Sequence, residues 1–384
     1  MTIYLDNAAT TRLDKKSLDC LLYIHKEKYG NPSSLHMLGV EAENIYRNSI
    51  KKISELINAN LSNVIITSGG TESNNTGLWQ IKKFKNSKNK ILTCKLEHPS
   101  VLKYCDFLKF REGIDYSYYQ INEDGSINIE DLKNKIDDTI GLITIPLINS
   151  EVGFLQDIEK ISKIIKKIDK DILIHVDGVQ AFGKIKIDVD TLNIDTMSFS
   201  SHKIHGPKGL GGLYIKEPNK FIPMIYGGGQ QNHLRSGTEN TPGIAAFAKT
   251  CEIAQKNIKA DYKKISKINN KYRNLLKNNI DDIIFNSEKD NSSPYILSLS
   301  IKDIKSEVLI HFLEMDDIYI SSGSACSSNY KGMSSSYEVL KIPKDYVEGT
   351  IRISFGRFSK EEDTEYVVKK INKYVKKIRK IMRS

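Results

Sequence analysis

Two residues in the middle of the chain could together perform one kind of chemistry. Asp177 ends the apolar part of His175-Val176-Asp177-Gly178-Val179-Gln180, and Lys203 follows small polar residues in Ser200-Ser201-His202-Lys203. Pyridoxal phosphate needs a lysine amine for its aldehyde and a carboxylate that keeps its ring nitrogen protonated, because the protonated ring is the electron sink. The pair therefore indicates this cofactor, although any α/β enzyme can end a strand in aspartate and most lysines are solvated.

A glycine-containing segment could hold an anion. Ser68-Gly69-Gly70-Thr71-Glu72-Ser73-Asn74 follows a β-rich run and opens a helical pattern. Glycines let the backbone approach a ligand closely, and free amides at a helix N-terminus stabilise a phosphate dianion. The spacing is neither that of a P-loop nor that of the dinucleotide motif GxGxxG. Taken alone, the segment is equally consistent with an ordinary helix start that has Thr71 as N-cap.

One cysteine lies in an unusual context. Cys326 ends Ser321-Ser322-Gly323-Ser324-Ala325-Cys326, a run of small residues that no hydrophobic core would choose. Structural cysteines are usually buried, so this context predicts an exposed thiol on a mobile backbone. A thiolate in such a place can act as a nucleophile. The other cysteines are scattered without a CxxC pair, which predicts a reducing compartment rather than disulfides or structural zinc: Cys20, Cys94, Cys105 and Cys251.

The elements that must position these residues form an alternating pattern. β-rich runs are predicted at 64–67, 90–93, 140–145, 172–176 and 197–199, with amphipathic helices between them, for example at 41–57 and 158–168. Such alternation predicts a doubly wound, mainly parallel sheet, whose ligands bind beyond the carboxyl ends of the strands. Asp177, Ser200 and Lys203 all come just after a predicted strand.

The composition and the predicted elements change at about residue 242. A lysine-rich helix is predicted to about 279, and a smaller α+β set follows, with strands at 295–301, 318–321 and 350–354 and helices at 305–315 and 361–381. At 384 residues the chain should divide into two domains. We predict a large domain over 13–256 and a small C-terminal domain over 257–384, which the N-terminal residues 1–12 join.

Bulk composition predicts a soluble cytoplasmic protein. Hydrophobic residues make up 39% of the chain, no run of about 18 apolar residues exists, and the N-terminus lacks the features of a signal peptide. The formal net charge of +10 would favour acidic partners such as RNA or an acidic protein. The lysines are spread over many helices, so solvated surfaces explain the charge and no direct nucleic-acid binding is expected.

The chain resembles the cysteine desulfurases of the NifS/IscS type, in the class V aminotransferase group, from end to end. The motifs that carry the resemblance are Tyr4–Thr11, Gly30–Ser34, Ser68–Asn74, Glu97-His98, His175–Gln180, Ser198–Lys203, Arg235–Thr238, Ser321–Cys326 and Arg352–Arg357. The resemblance implies the fold of PLP-dependent transferases of fold type I. This fold has a mainly parallel, seven-stranded type of sheet in the large domain and a smaller α+β domain.

The resemblance also implies roles for residues around the cofactor ring. Lys203 would bind the aldehyde of pyridoxal phosphate and shuttle protons, and Asp177 would pair with the ring nitrogen. Gln180 would hydrogen-bond the ring hydroxyl, and His98 would stack on the ring and serve as an acid–base group. Ser150 stands where the family usually has a second asparagine that helps to hold the ring hydroxyl. Its shorter side chain can still donate, with a water to bridge the distance.

Further roles concern the phosphate, the substrate and the reaction. The resemblance implies that Arg352, helped by Asn31, binds the carboxylate of L-cysteine, and that Cys326 takes the sulfur as a persulfide and releases alanine. A transient iron–sulfur ligand is a further role for Cys326. The phosphate would be held by Gly70, Thr71, Ser200 and His202, with Thr238 from the other subunit of a homodimer.

The resemblance leaves the sulfur acceptor and one alternative activity open. An iron–sulfur scaffold protein and a tRNA-thiolating enzyme are both expected as acceptors in this group. A selenocysteine lyase or another class V enzyme is the alternative function, since selenium and sulfur share the chemistry. The thiol of Cys326 opposes a transaminase, which needs none.

Overall fold

The computed structural model describes residues 2–84, 87–323 and 335–383. The helices of these ranges are α1 (Lys15–Glu27), α2 (Met37–Glu55), α3 (Gly70–Trp79), α4 (Pro99–Glu112), α5 (Ile129–Lys135), α6 (Ile158–Ile168), α7 (Val189–Leu192), α8 (Thr241–Asn279), α9 (Ser306–Glu314), α10 (Ser335–Val339), α11 (Lys344–Val347) and α12 (Asp363–Arg383). The predicted helix at 41–57 begins earlier, at Met37, because His36 accepts a hydrogen bond from the Gly39 N–H and caps it.

The strands agree with the β-rich runs that the sequence predicts, and others join them. They are β1 (Ile3–Tyr4), β2 (Val64–Thr67), β3 (Lys90–Thr93), β4 (Asp115–Tyr118), β5 (Ile140–Pro146), β6 (Leu173–Asp177), β7 (Thr196–Ser200), β8 (Gly211–Ile215), β9 (Ile283–Phe285), β10 (Ile296–Ile301), β11 (Ile318–Tyr319), β12 (Ser321–Ser322) and β13 (Thr350–Ser354). The sequence pattern does not predict β1, β4, β8 or β9.

The large sheet has seven strands in the described part of the chain, in the order β2-β8-β7-β6-β5-β3-β4. The pairs among β4, β3, β5, β6 and β7 are parallel, and only β8 runs antiparallel to its neighbours β7 and β2. The mainly parallel sheet that the sequence predicts is therefore confirmed. Its central strands β5 and β7 are buried along their whole length, which explains why β5 is mainly apolar.

The register of the central strands brings the chemical residues together. Asp177, the last residue of β6, lies beside Pro146 at the end of β5 and beside Ser198 in β7. A single 3₁₀ turn, Ser201–Lys203, then follows β7 directly. Because parallel strands end at the same edge of a sheet, Asp177 and Lys203 reach one crevice.

The hydrophobic core has two main clusters, which share the helix α8. The N-terminal part of α8, up to Ala254, packs on the large sheet, and the part from Ile265 packs on the second sheet, β12-β13-β10-β9. Ile3 and Leu5 belong to the second cluster, where β1 pairs with β11. The domain boundary near residue 256 stays a prediction. None of the described helices combines the length and the apolar character needed to cross a bilayer.

Candidate active site

A cavity of about 360 Å³ opens at the carboxyl ends of β5, β6 and β7. The N-terminal residues Ala8 and Ala9 form one wall, and a side chain from β13 closes another. Ten residues that the sequence predicts for the site line this cavity: Gly70, Thr71, His98, Ser150, Asp177, Gln180, Ser200, His202, Lys203 and Arg352.

Three further predicted residues are not among those that line it. Asn31 is exposed, and its Oδ1 accepts a hydrogen bond from the Ser33 N–H at 2.9 Å in its own loop. Thr238 is exposed on the loop before α8. Cys326 lies outside the described residues. The roles of all three stay predictions.

Asp177 is a buried carboxylate that accepts hydrogen bonds from its neighbours. Only 8% of the residue is exposed. Its Oδ2 accepts from the Asn74 side-chain amide at 2.8 Å, and its Oδ1 accepts from the Val179 N–H at 3.0 Å. A buried carboxylate is costly without donors or a cation, so this oxygen pair is prepared for a further positively charged partner.

Lys203 reaches the cavity wall that the N-terminal segment forms. Its Nζ donates to the carbonyl oxygen of Ala8 at 2.6 Å and to that of Ala9 at 2.8 Å. The Gln180 amide donates to the same Ala8 oxygen at 2.9 Å, and its Oε1 accepts from Lys184 Nζ at 2.9 Å. The N-terminal segment thus holds the lysine and the glutamine on one side of the cavity.

The segment around Gly70 meets the cavity at the N-terminus of α3. Gly69 is the N-cap and no side chain caps the helix, so the interpretation of Thr71 as N-cap is wrong. The first amides of α3 are therefore left for another acceptor, since an uncapped helix start has unsatisfied N–H groups. Close by, the hydroxyl oxygen of Ser200 is buried and has no hydrogen-bond partner within the described ranges. These donors suit an anion.

His202 lies on the same side and is neutral. Its Nδ1 is 3.1 Å from the Thr10 hydroxyl. Burial lowers the pKa of His202 to about 4, and the nearby Lys203 and Lys208 act in the same direction. At neutral pH this ring therefore contributes hydrogen bonds rather than charge.

Arg352 closes the cavity from β13. It is 4% exposed, its Nη2 lies 2.9 Å from Asp6 Oδ1, and its Nη1 donates to the Ser150 carbonyl at 2.8 Å. Its Nε is buried without a partner among the described residues. Ser150 thus contacts Arg352 through its backbone, while the neighbouring Asn149 side chain donates to the Leu96 carbonyl. A buried guanidinium with such a pair of contacts suits recognition of a carboxylate.

Sequence reasoning missed several residues that build the site. Asn74, Ser100, Ala8, Ala9 and Lys184 all contact or support the predicted residues. In the sequence Asn74 is only the last residue of the glycine-containing segment Ser68–Asn74. Its importance is visible only in the folded chain, where Asn74 is buried and its amide therefore needs partners.

Comparisons with known proteins identify the family. The sequence model of the family described as Aminotransferase class-V matches residues 3–367. Cysteine desulfurase IscS of Dictyoglomus turgidum is 34% identical over 380 residues, covering 99% of this chain and 96% of the relative. Cysteine desulfurase IscS of Rickettsia conorii is 37% identical over 385 residues, covering 99% and 93%.

Solved structures show the same likeness. A NifS-like protein has a TM-score of 0.92 at 34% identity, covering 98% of this chain and 100% of that chain. SspA, solved in complex with cysteine, has a TM-score of 0.80 at 29% identity, covering 94% and 100%. The chain therefore belongs to the class-V aminotransferase family and, within it, to the cysteine desulfurases of the NifS/IscS type.

Proposed function

We propose that this chain is a pyridoxal-phosphate-dependent cysteine desulfurase that converts L-cysteine to L-alanine and keeps the sulfur on Cys326. The observation that carries the proposal is the single cavity in which Asp177, Lys203 and Arg352 meet. Asp177 suits a protonated ring nitrogen, Lys203 suits an aldehyde, and Arg352 suits a carboxylate. The relatives named cysteine desulfurase, alike over nearly the whole chain, support the choice of substrate.

The residues present fit pyridoxal phosphate. The buried Ser200 hydroxyl without a partner and the uncapped N-terminus of α3 would hold the phosphate with Thr71 and His202. Asp177 would face the ring nitrogen, and Gln180 and Ser150 the ring hydroxyl. When bound, the cofactor supplies an electron sink for the carbon atoms of the amino acid.

The chain's own residues would do the rest. Lys203, held at the Ala8 and Ala9 carbonyls, has an amine in position to bind the aldehyde and to move a proton at the substrate α-carbon. Arg352 would turn its guanidinium from Asp6 to the substrate carboxylate. Overall, L-cysteine and the Cys326 thiol give L-alanine and a Cys326 persulfide, which balances atoms and electrons.

A homodimer would complete the site. Several large apolar side chains around the start of α2 are exposed, among them Tyr29 at 71%, Leu35 at 99% and Met37 at 80%. Exposed apolar patches mark surfaces that associate, and a second copy is the usual partner. Thr238 and Asn31 are also exposed in the single chain. The dimer would bring Thr238 to the phosphate of the neighbouring subunit.

The persulfide would be passed on in the cytoplasm. We infer an iron–sulfur scaffold protein as the first acceptor to test, because the relatives bear the name IscS. A tRNA-thiolating enzyme is the other acceptor that the sequence suggests. Cys326 could then also serve as a transient iron–sulfur ligand during transfer.

The decisive experiment incubates the loaded protein with L-cysteine and a thiol reductant, and measures alanine and sulfide. We expect a yellow protein absorbing at about 400 nm, equal yields of the two products, and their loss in Cys326→Ala. Cys20→Ala is the matched control, because Cys20 lies on α1 outside the cavity. Alanine without sulfide, or full activity in Cys326→Ala, would reject the proposal.

A further inference from the structure

A chain of directed hydrogen bonds leads through Asn74 to the cavity. The Asn74 Nδ2 lies 2.8 Å from Asp177 Oδ2 and 2.9 Å from Ser100 Oγ, and its Oδ1 lies 3.1 Å from His175 Nε2. A carboxylate only accepts, so the amide group facing Asp177 must be the NH₂. Both of its protons are then used, one by Asp177 and one by the Ser100 hydroxyl oxygen.

His175 fixes the same orientation from the other side. It is completely buried, and burial lowers its pKa to about 4, so the ring is neutral and carries one proton. The carbonyl oxygen of Asn74 only accepts, which places that proton on Nε2. The Thr196 hydroxyl, 2.8 Å away, then donates to Nδ1. Every hydrogen bond in this part of the network has one possible direction.

Two donors converge on His98 Nδ1 at the other end. Ser100 Oγ accepts from Asn74, so its own proton is available for Nδ1 of His98 at 2.8 Å. The backbone N–H of Ser100 also donates to this nitrogen at 3.1 Å, because His98 is the N-cap of α4. A nitrogen that accepts from an amide N–H cannot carry a proton itself. The proton of a neutral His98 must therefore be on Nε2.

The surroundings also keep His98 uncharged. It stands at the positive end of the dipole of α4, which disfavours an imidazolium. Burial lowers its pKa, and Lys203 acts in the same direction, against the opposing effects of Asp177 and Glu151. A histidine held neutral at a helix N-terminus is known to act as a hydrogen-bond donor in catalysis.

We propose that Asn74 and Ser100 are positioning residues that hold His98 as the neutral tautomer with its proton on Nε2. His98 then offers an N–H donor to the cavity it lines, and its Nε2 has no partner within the described residues. Protonation at Nδ1 must first break both bonds from Ser100. The use of this donor in catalysis rests on the proposed function, whereas the tautomer itself does not.

The test is a nitrogen NMR spectrum of the histidine rings. The holoenzyme is labelled with ¹⁵N-histidine, and His98 is identified among the eight histidines by its absence in His98→Gln. At about pH 8 we expect a pyridine-like Nδ1 and a pyrrole-like Nε2. In Ser100→Ala the Nδ1 resonance should move away from its hydrogen-bonded position. Ser73→Ala is the control, because it removes a buried hydroxyl that bonds Thr67 and Gly69 instead.

A pyrrole-like Nδ1 in the wild type, or an Nδ1 resonance unchanged by Ser100→Ala, would overturn the proposal. The outcome is separate from that of the sulfide assay. A protein with the expected tautomer but no desulfurase activity would refute the proposed function alone, and the reverse result would refute the tautomer alone.

Discussion

Replacing Lys184 by methionine removes an amine that the fold buries near two other cationic residues, Lys203 and Arg352. Lys184 is 6% exposed, it donates to Gln180, and its Nζ lies 5.6 Å from the centre of the Tyr295 ring. No carboxylate of the described residues forms an ion pair with it. Burial, with smaller effects from Lys203 and Arg352, lowers the pKa of Lys184 to about 7.

The size of the effect follows from proton linkage. Lysine in an unfolded chain has a pKa of about 10.4, so between about pH 7 and pH 10 the unfolded state binds one more proton than the folded state. The free energy of unfolding therefore rises with pH in this window by about 1.4 kcal/mol per pH unit. At about pH 7.5 the lowered pKa of Lys184 reduces the free energy of unfolding of the wild type by about 4 kcal/mol, relative to a lysine whose pKa does not change on folding. Methionine removes that loss but also a hydrogen bond worth about 1 kcal/mol.

We therefore expect Lys184→Met to be more stable than the wild type by about 2–3 kcal/mol at about pH 7.5. The advantage should disappear by about pH 10. Urea unfolding of the cofactor-free protein, in which no aldehyde is bound to Lys203, measures the difference. The fluorescence of Trp79, the single tryptophan, reports on the core that packs around α3 and α4.

Lys186→Met is the matched control, because Lys186 is exposed and lies two positions away. Its stability relative to the wild type should not change with pH. Buried cysteines, whose thiols have raised pKa values, weaken the fold at high pH in all three proteins equally and so cancel in the comparison. A stability difference between Lys184→Met and the wild type that is constant from about pH 7.5 to about pH 10 would refute the reasoning.

The other predictions concern the substrate and the assembly. Arg352→Lys keeps the charge but loses one arm of the guanidinium, so KM for L-cysteine should rise by about tenfold to a hundredfold with a smaller change in kcat. Steady-state kinetics check this, and an unchanged KM would show that the carboxylate binds elsewhere. Light scattering should give a particle of twice 43.5 kDa for the dimer; a particle of 43.5 kDa that still forms sulfide would exclude a shared site.

The sequence predicted the site where local pattern carried the information. Asp177 and Lys203 could be placed at one sheet edge because Asp177 ends one short β-rich run and Lys203 closely follows another. The strands β4 and β8 escaped prediction, since β4 contains charged and polar residues at the sheet edge and β8 begins with two glycines. Both are weak local signals for a strand.

Supporting residues could not be predicted because their roles arise from contacts between distant segments. Asn74 meets Asp177 across about a quarter of the chain, and Lys184 matters through Gln180, whose own partner is the Ala8 carbonyl. A single sequence gives no sign of such pairings. The proposed role of Thr238 would depend on a second subunit, which no local pattern places.

The N-terminal segment has a consequence for the order in which the molecule is made. Its β1 pairs with β11, and the Asn7 side chain and Ala8 N–H bond to Ser354, near the other end of the chain. During synthesis the early part of a chain folds first, but this segment cannot complete its pairing until the residues up to Ser354 have left the ribosome. The wall that holds Lys203 is therefore the last part of the pocket to be completed, although it is the first part of the pocket to be translated.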